Sequence, residues 1–591
     1  MKKRLFGLVL SMSLIGAAAS LSGCSKQEAA ETTAAESEAA EEAESESAAE
    51  VESKEAEGGD AAKADDGTVK PVAVRIEQVN DDISEDKGDN IRKTAAVYEY
   101  PRLYLDGDDA KGYPELAKAF EDYNAKADSQ KDETLKTLKD EYDEVKDFYG
   151  EDSDMYVYEN YNGSILRADS NVVSMLIGYE DFHGGAHGYY FSYGVNFDTK
   201  TGKQLLLSDV VKDKDAFVKL VSERFAEEYG SRKGEYGDLK DAGEQLKEQD
   251  FSSDEGNQWS ISPDCVTVYF SPYTLGAYAQ GAQEISIYFD EAPEVFNEQY
   301  TVSSEDYAVP INAWHNVKID VGNGKREPVT VEQATTEYTE EAGLYKTQFN
   351  LGETSLLADW ESYSIISSYL VRSNGKYYIY AFQGSDNDYV FLSVVDVAAK
   401  KVDDSLNSYY NLLSYYSNSD SYVDNELYES IHGGAAFTNP KKFELTTRLD
   451  ILGTYTAYKT YEVGQNGLPV SSDEYYISES SFAMKAVKDL ELEKIDTDGN
   501  VTGKETVPAG SFLAVARTDG KGIADLVLVD EAYIETTGES EWEHYLLTKD
   551  IAELAGSAKT MYRVTVERTE YPYKVNGEEE DSVFAGVMYA G

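Results

Sequence analysis

The chain has 591 residues, with 53 Lys and Arg against 112 Asp and Glu, and a formal net charge of −59. Nucleic acids and anionic lipid surfaces are polyanions that repel such a chain, which argues against both as partners. Only two cysteines exist, Cys24 and Cys265, so there is no disulfide framework and packing must stabilise the domains.

The N-terminus has the pattern of a secretory signal peptide over residues 1–23. Lys2, Lys3 and Arg4 precede an apolar run that is too short for a stable membrane span. The run ends in Leu-Ser-Gly-Cys24, which resembles a bacterial lipobox. This resemblance implies cleavage before Cys24 and a diacylglycerol on its sulfur, which would anchor the protein on the extracytoplasmic face of the cell membrane. The alternative is an ordinary signal peptide followed by an unrelated cysteine.

Residues 24–70 are predicted to form an acidic disordered tether. Ala, Glu and Ser dominate, and large apolar residues are almost absent, so the segment cannot bury enough surface to fold. Repulsion between the glutamates keeps such a segment extended. We expect it to hold the folded part of the chain away from the membrane.

Residues 71–154 predict a small α+β domain. The segment VAVRIEQV has the composition of a strand. Pro114 suits a first helical turn, and apolar residues then recur at spacings of three and four from Leu116 to Tyr149. We expect amphipathic helices that pack on a sheet.

Residues 155–308 change to a strand-rich pattern. The segment SILRADSNVVSMLIGYE predicts strands, and GYYFSYGVNFDTKTGKQLLLSDVV predicts a hairpin that turns at DTKTGK. One helix is expected after Ser208 and Asp209, where apolar residues take helical spacing.

Two further strands are predicted in the second part of this region. They are CVTVYF and QEISIYF, and the segment SPYTLGAYAQGA joins them. Cys265 begins the first of these strands, which predicts a small buried residue rather than a nucleophile.

Two long blocks of this region resemble a known family. They are GGAHGYYFSYGVNFDTKTGKQLLLSDVV and VTVYFSPYTLGAYAQGAQEISIYFDE. Both resemble the RsiV/PdaC-type extracytoplasmic domain of unknown function, and the preceding segment is similar to its usual N-terminal companion domain. The resemblance covers residues 74–300 and implies an α+β fold, with helices packed on a mainly antiparallel sheet. It also implies binding, because in RsiV this region recognises lysozyme.

The resemblance does not carry over the whole function of either relative. RsiV has a transmembrane helix and a cytoplasmic sigma-binding segment, and PdaC has a catalytic polysaccharide deacetylase domain. Nothing in this sequence predicts any of these parts, and no Thr-Phe-Asp-Asp motif supplies the metal-binding aspartate of PdaC. Lysozyme binding does suit the charge, because lysozymes are often strongly basic and this chain is strongly acidic.

The remaining chain is predicted to be β-rich. Residues 309–475 contain several strands of no recognised type, including a hairpin that turns at Asn374 and Gly375. In residues 476–591, short strands alternate with the turn segments DTDGN, PAG and TDGKG. This last pattern resembles bacterial SH3-like modules, which often bind cell-wall peptides, and it predicts a small barrel.

His183 and His187 form the pattern His-Gly-Gly-Ala-His, and two interpretations of it stay open. The spacing is one that two zinc ligands use on a helical turn, with Asp181 or Glu180 as a third ligand. Adjacent glycines disfavour a helix, however, and at a sheet edge they indicate turns or close backbone approach. In that second interpretation the histidines are contact residues of a recognition loop.

Tyr273 and Tyr278 lie in the connection between the two late strands. Aromatic side chains beside flexible glycines suit a recognition surface. The alternative is that both rings cap the core of the sheet.

Three functional hypotheses follow from the sequence. The first is a lipid-anchored binding protein that recognises peptidoglycan, or a wall-directed protein such as lysozyme. The second is a metal-dependent hydrolase or deacetylase of wall polysaccharide that uses His183 and His187. The third is a structural lipoprotein without a discrete ligand site. Because no complete catalytic motif is found, we expect no enzyme activity and no cofactor.

Overall fold

The structure is a computed structural model of the chain. It describes residues 68–86, 92–105, 107–150, 153–230, 237–254, 256, 258–335, 343–385, 390–406, 411–412, 435–496, 499–538, 543–569 and 571–589. The predicted signal peptide, Cys24 and nearly all of the predicted tether therefore lie outside the described residues.

The first sheet has five strands in sequential order. They are β1 Val74–Asp86, β2 Arg92–Leu105, β3 Val157–Ala168, β4 Val172–Phe182 and β5 Tyr189–Asp198. Strands β2 and β3 pair in parallel and all other neighbours pair antiparallel. The α+β class and the mainly antiparallel sheet are confirmed, with one parallel pair that the sequence analysis did not predict. The sheet takes strands from both sides of residue 154, where we predict a domain boundary.

Three helices connect the parallel strands, as a parallel pair requires. They are α1 Gly107–Gly112, α2 Pro114–Asp128 and α3 Lys131–Tyr149. The predicted helical spacing is confirmed, because one side of each long helix is buried in the core shared with the sheet. The buried residues are Leu116, Phe120, Tyr123 and Ala127 of α2, and Leu135, Leu138 and Tyr142 of α3. This packing fixes α3 against the end of the sheet where the candidate site lies.

The hairpin predicted after β5 is only partly present. Beyond the turn at residues 199–203, the single bridge between Phe197 and Gln204 replaces a second strand. The chain then enters a second core, in which Leu205, Leu207 and Val210 are buried. A second strand at this edge of the sheet would leave every other one of these apolar side chains exposed to water. Their burial in the second core therefore determines the local structure.

A second layer of helices and a small sheet surround this second core. The helices are α4 Leu207–Val210, α5 Lys214–Tyr229, α6 Ala242–Lys247 and α7 Glu298–Thr301, and the antiparallel strands are β6 Trp259–Ile261, β7 Cys265–Phe270 and β8 Gln283–Tyr288. The two predicted late strands are thus confirmed. The predicted helix starts at Lys214 because Asp213 caps it, accepting a hydrogen bond of 3.0 Å from the Ala216 N–H.

Two antiparallel sheets follow. One contains β10 Val317–Asp320, β11 Arg326–Ala334, β12 Tyr345–Leu351 and β13 Thr354–Ser362; the other contains β9 Tyr307–Pro310, β14 Ser364–Ser373, β15 Lys376–Gly384, β16 Val390–Asp396 and β17 Lys401–Leu406. The predicted turn between β14 and β15 is confirmed. Asn374 and Gly375 have φ of 52° and 73°, as a two-residue hairpin turn of the primed type needs.

The C-terminal region forms one branched sheet and a short helix, α8 Ile551–Ser557. Its strands are β18 Asn411–Leu412, β19 Phe443–Asp450, β20 Thr454–Val463, β21 Pro469–Val470, β22 Tyr476–Ser478, β23 Phe482–Ala486, β24 Leu490–Ile495, β25 Val501–Val507, β26 Phe512–Thr518, β27 Ile523–Val529, β28 Ile534–Thr537, β29 His544–Leu547, β30 Met561–Glu567, β31 Lys574–Val575, β32 Glu578–Glu579 and β33 Phe584–Ala585. No sheet closes on itself among the described residues, so the SH3-like barrel predicted for residues 476–591 is not present as a closed barrel. Strands from before residue 476 extend this sheet, from β18 to β21.

Candidate binding surface

The sequence His183–Gly188 connects β4 to β5, and we call it the glycine loop. Gly184 has a φ of 76°, and a Cβ there would lie 2.7 Å from Cγ2 of Val145 on α3. A Cβ on Gly188 would lie only 1.9 Å from the backbone oxygen of Asp181. These two glycines are needed because the loop packs closely on α3 and on the end of β4.

His183 lies beside α3 in a cluster of carboxylates. Its Nδ1 is 2.6 Å from Oε2 of Glu141, and its Nε2 is 3.5 Å from Oδ2 of Asp181. Glu159, almost fully buried, is 3.8 Å from the same Nε2. Burial alone lowers the pKa of His183, but two hydrogen bonds and the carboxylate charges outweigh it and raise the pKa to about 10. The protonated imidazole is therefore a cation shared by three carboxylates.

Further contacts hold this end of the glycine loop. Asp181 accepts hydrogen bonds from the Tyr179 hydroxyl at 2.8 Å and from the Tyr189 N–H at 2.9 Å. The Tyr149 hydroxyl, at the end of α3, accepts from the Gly185 N–H at 3.0 Å and lies 3.1 Å from the Gly185 carbonyl oxygen. The loop is therefore tied to both the sheet and α3.

His187 points to a different set of partners, and its side chain is exposed. Its ring stacks on Tyr278 with centroids 3.9 Å apart and planes at 23°. Its Nε2 is 3.4 Å from the Tyr273 hydroxyl, and its Nδ1 is 2.8 Å from the Gly188 carbonyl oxygen. The Tyr278 hydroxyl donates to that same carbonyl oxygen at 2.8 Å. Two chain segments that are far apart in sequence are thus joined around one backbone oxygen.

Tyr273 and Tyr278 come from the connection between β7 and β8. Tyr278 begins a short 3-10 helix, Tyr278–Gln280, and its ring centroid lies 5.5 Å from that of Tyr273. Tyr273 is 57% exposed and has a φ of 73°, a conformation that costs free energy for any residue other than glycine. Exposure and strain in one aromatic residue are features of recognition loops rather than of a buried core.

The structure brings together three of the four residues that the sequence suggested. His187, Tyr273 and Tyr278 form one surface cluster, which we call the aromatic cluster. His183 is turned away from it into the carboxylates. No group of three or more His, Cys, Asp or Glu side chains is placed to hold a metal ion in the part of the chain that is described. The two histidines thus have separate partners.

Sequence reasoning missed the residues that surround these histidines. Glu141 and Glu159 were not singled out, although Glu159 stands between Val157 and Tyr161 at an inward position of β3. The alternating pattern of a strand can reveal such a carboxylate, because a charged residue then stands at a position where an apolar residue is expected. Cys265, as predicted, is buried in its strand, and burial raises the pKa of its thiol to about 12, which does not suit a nucleophile.

Residues 206–290 match the family model described as "Protein of unknown function (DUF3298)". The chain therefore contains a DUF3298 domain. The matched residues include Tyr273 and Tyr278, while the glycine loop precedes them. No curated protein matches the chain.

Two solved structures of this family are similar to part of the chain. A DUF3298 family member from Bacteroides fragilis NCTC 9343 is 16% identical, with a TM-score of 0.29, over 39% of this chain and 95% of that one. A DUF3298 family protein from Pseudomonas aeruginosa PAO1 is 15% identical, with a TM-score of 0.26, over 39% of this chain and 97% of that one. Within the described residues, no helix combines the length and apolar character needed to cross a membrane.

Proposed function

We propose that this protein is a lipid-anchored extracytoplasmic binding protein. Its partner is a cell-wall component such as peptidoglycan, or a wall-directed protein such as lysozyme. The observation that carries the proposal is the convergence of His187, Tyr273 and Tyr278 into one exposed aromatic cluster. Aromatic side chains in such a position supply a large part of the binding free energy at protein surfaces.

The cluster is held in place before any partner arrives. The Gly188 carbonyl oxygen is contacted by Tyr278 and by His187, and the glycine loop is tied to α3 by the contacts of His183. A surface that is already ordered loses little conformational entropy on binding. The strained backbone of Tyr273 supports the same proposal, because strain of this kind persists mainly at ligand contacts and switch regions.

The sequence supports the proposed location. Cys24 would carry the lipid, and residues 24–70 would keep the folded part away from the membrane. The resemblance to the RsiV/PdaC-type domain supports both the wall-facing location and the choice of lysozyme as a partner. The DUF3298 domain contributes Tyr273 and Tyr278 to the aromatic cluster.

A retention experiment tests this proposal. The purified full chain is immobilised and exposed separately to lysozyme and to insoluble peptidoglycan, with and without a chelator. We expect one of the two to be retained regardless of the chelator. The double variant Tyr273→Ala/Tyr278→Ala should lose about tenfold in affinity or more.

The matched control is Tyr533→Ala, since Tyr533 is an exposed tyrosine in a short 3-10 helix of the C-terminal region, Glu531–Tyr533. It should bind like the unaltered protein. If neither probe is retained, the proposal fails and the structural hypothesis gains support. Retention that the chelator abolishes would instead favour the metal-dependent hypothesis with His183 and His187.

A further inference from the structure

A row of polar side chains crosses the first sheet on the face opposite to His183. The register places Glu99 of β2 beside Asn160 of β3, Asn160 beside Glu180 of β4, and Glu180 beside Tyr190 of β5. Alternation along each strand puts these four side chains on one face. Glu159 and Asp181, one residue away, point to the helical side.

The two carboxylates of this row have no cation beside them in the part of the chain that the structure describes, and the Asn160 amide and the Tyr190 hydroxyl between and beside them can both donate and accept. Within the described residues, no hydrogen bond or ion pair involves the Glu180 carboxylate, although the side chain is half-buried. The Asn160 side-chain oxygen is buried and accepts no hydrogen bond. Glu99 accepts one, from the Asn80 side chain at 2.8 Å. Burial, together with the charge of Glu180, raises the pKa of Glu99, as expected where negative charges lack a cation.

Aromatic rings flank the row on the side of the aromatic cluster. The rings of Tyr190 and Tyr278 meet edge to face with centroids 6.0 Å apart. Tyr158 lies two residues before Asn160 on β3 and therefore on the same face of the sheet. The row and the aromatic cluster are therefore parts of one continuous surface.

We propose that Glu99, Asn160 and Glu180, with Tyr158, Tyr190 and Tyr278 beside them, form a subsite for the cationic side chain of a basic partner protein. A guanidinium group carries a positive charge and five N–H donors, which suits the Glu99 and Glu180 carboxylates that have no cation within the described residues, and the unpaired Asn160 oxygen between them. The tyrosine rings can receive the same group through cation–π contacts. The proposal rests on the proposed function and selects a basic protein over a glycan, which would bring no cation to these carboxylates.

Fluorescence anisotropy of labelled peptides on the full chain tests the subsite. The probes are a short Gly-Arg repeat and the same peptide with citrulline in place of arginine, which is nearly isosteric but uncharged. We expect the arginine peptide to bind about tenfold more tightly than the citrulline peptide, and Glu180→Gln to remove most of that difference. Asn160→Leu should weaken the arginine peptide as well.

Glu121→Gln is the matched control, because it removes the same charge from an exposed position of α2 on the other side of the sheet. It should change the affinity less than twofold. Equal binding of both peptides, no binding of the arginine peptide, or equal losses for Glu180→Gln and Glu121→Gln would each overturn the subsite. Circular dichroism of each variant shows whether the fold is kept.

The lysozyme and peptidoglycan assay separates this inference from the proposed function. If Tyr273→Ala/Tyr278→Ala abolishes retention of lysozyme while Glu180→Gln leaves it unchanged, the subsite is wrong and the proposed function stands. If peptidoglycan is retained and lysozyme is not, the partner is a glycan and the cationic subsite is again overturned.

Discussion

The two ends of the glycine loop differ in what holds them, although only three residues separate His183 from His187. His183 is paired with carboxylates of the sheet and α3, and its surroundings are polar, charged and partly buried. His187 is exposed and stacks on Tyr278. The first arrangement stabilises the loop, whereas the second presents a surface. The same residue type therefore has a structural role at one end and, in the proposed function, a recognition role at the other.

The largest loss of stability is expected from a substitution that disturbs both ends of the glycine loop at once. Gly188→Ala places a Cβ 1.9 Å from the Asp181 backbone oxygen, and a backbone atom cannot move aside as a side chain can. We expect a loss of about 3 kcal/mol in the free energy of unfolding. Thermal or urea unfolding measures this loss of stability. Gly185→Ala, where a Cβ meets no atom within 4 Å, is the control and should cost less than about 0.5 kcal/mol.

Replacing each histidine in turn separates the two ends. His183→Ala leaves Glu141, Glu159 and Asp181 without their shared cation, and we expect a loss of about 2 kcal/mol in unfolding free energy. His187→Ala removes one exposed ring and should cost about 0.5 kcal/mol while weakening partner retention. Denaturant titration at pH 6.5 measures both. Equal stability losses for the two variants would contradict the division of roles.

The pH dependence of stability gives a further test of the different roles of His183 and His187. The pKa of His183 is raised in the folded state to about 10, so its stabilisation is fully present below its unfolded pKa of 6.5 and is lost as the pH rises through 10. Burial raises the pKa of Glu159 from 4.5 to about 7, so its ionisation lowers stability between pH 4.5 and pH 7, mostly below the range in which His183 titrates. We expect the difference in melting temperature between the unaltered protein and His183→Ala to narrow between pH 6.5 and pH 10. A constant difference over that range would exclude the ion cluster as its source.

The smallest expected effect concerns the strained aromatic residue at the exposed end. Asparagine tolerates a positive φ better than alanine does, so Tyr273→Asn should be more stable than Tyr273→Ala by about 0.5 kcal/mol. Both variants remove the ring and should weaken partner retention to the same extent. Paired unfolding curves under identical conditions resolve the difference, and the reverse order of stability would argue that the backbone at Tyr273 is relaxed.

Local patterns predicted much of the fold. The spacing from Leu116 to Tyr149 predicted the long helices, and strand-like segments predicted β1, β3, β4 and β5 of the first sheet, although β2 was missed. The Asn-Gly pair predicted the turn at Asn374 and Gly375. Patterns did not predict the parallel pairing of β2 with β3, which depends on where α1 to α3 return the chain. They also predicted a hairpin whose second strand follows the turn DTKTGK, where burial in the second core leaves only one bridge and a short helix.

By itself, the sequence determined the acidic character of the chain, its long helices and most of its strands. These properties depend on composition and on contacts between near neighbours. Only the tertiary structure decided that His187 meets Tyr273 and Tyr278, and that His183 meets Glu141. Those partners lie 42 to 91 residues away, and their approach depends on the packing of α3 and of the β7–β8 connection on one edge of the first sheet.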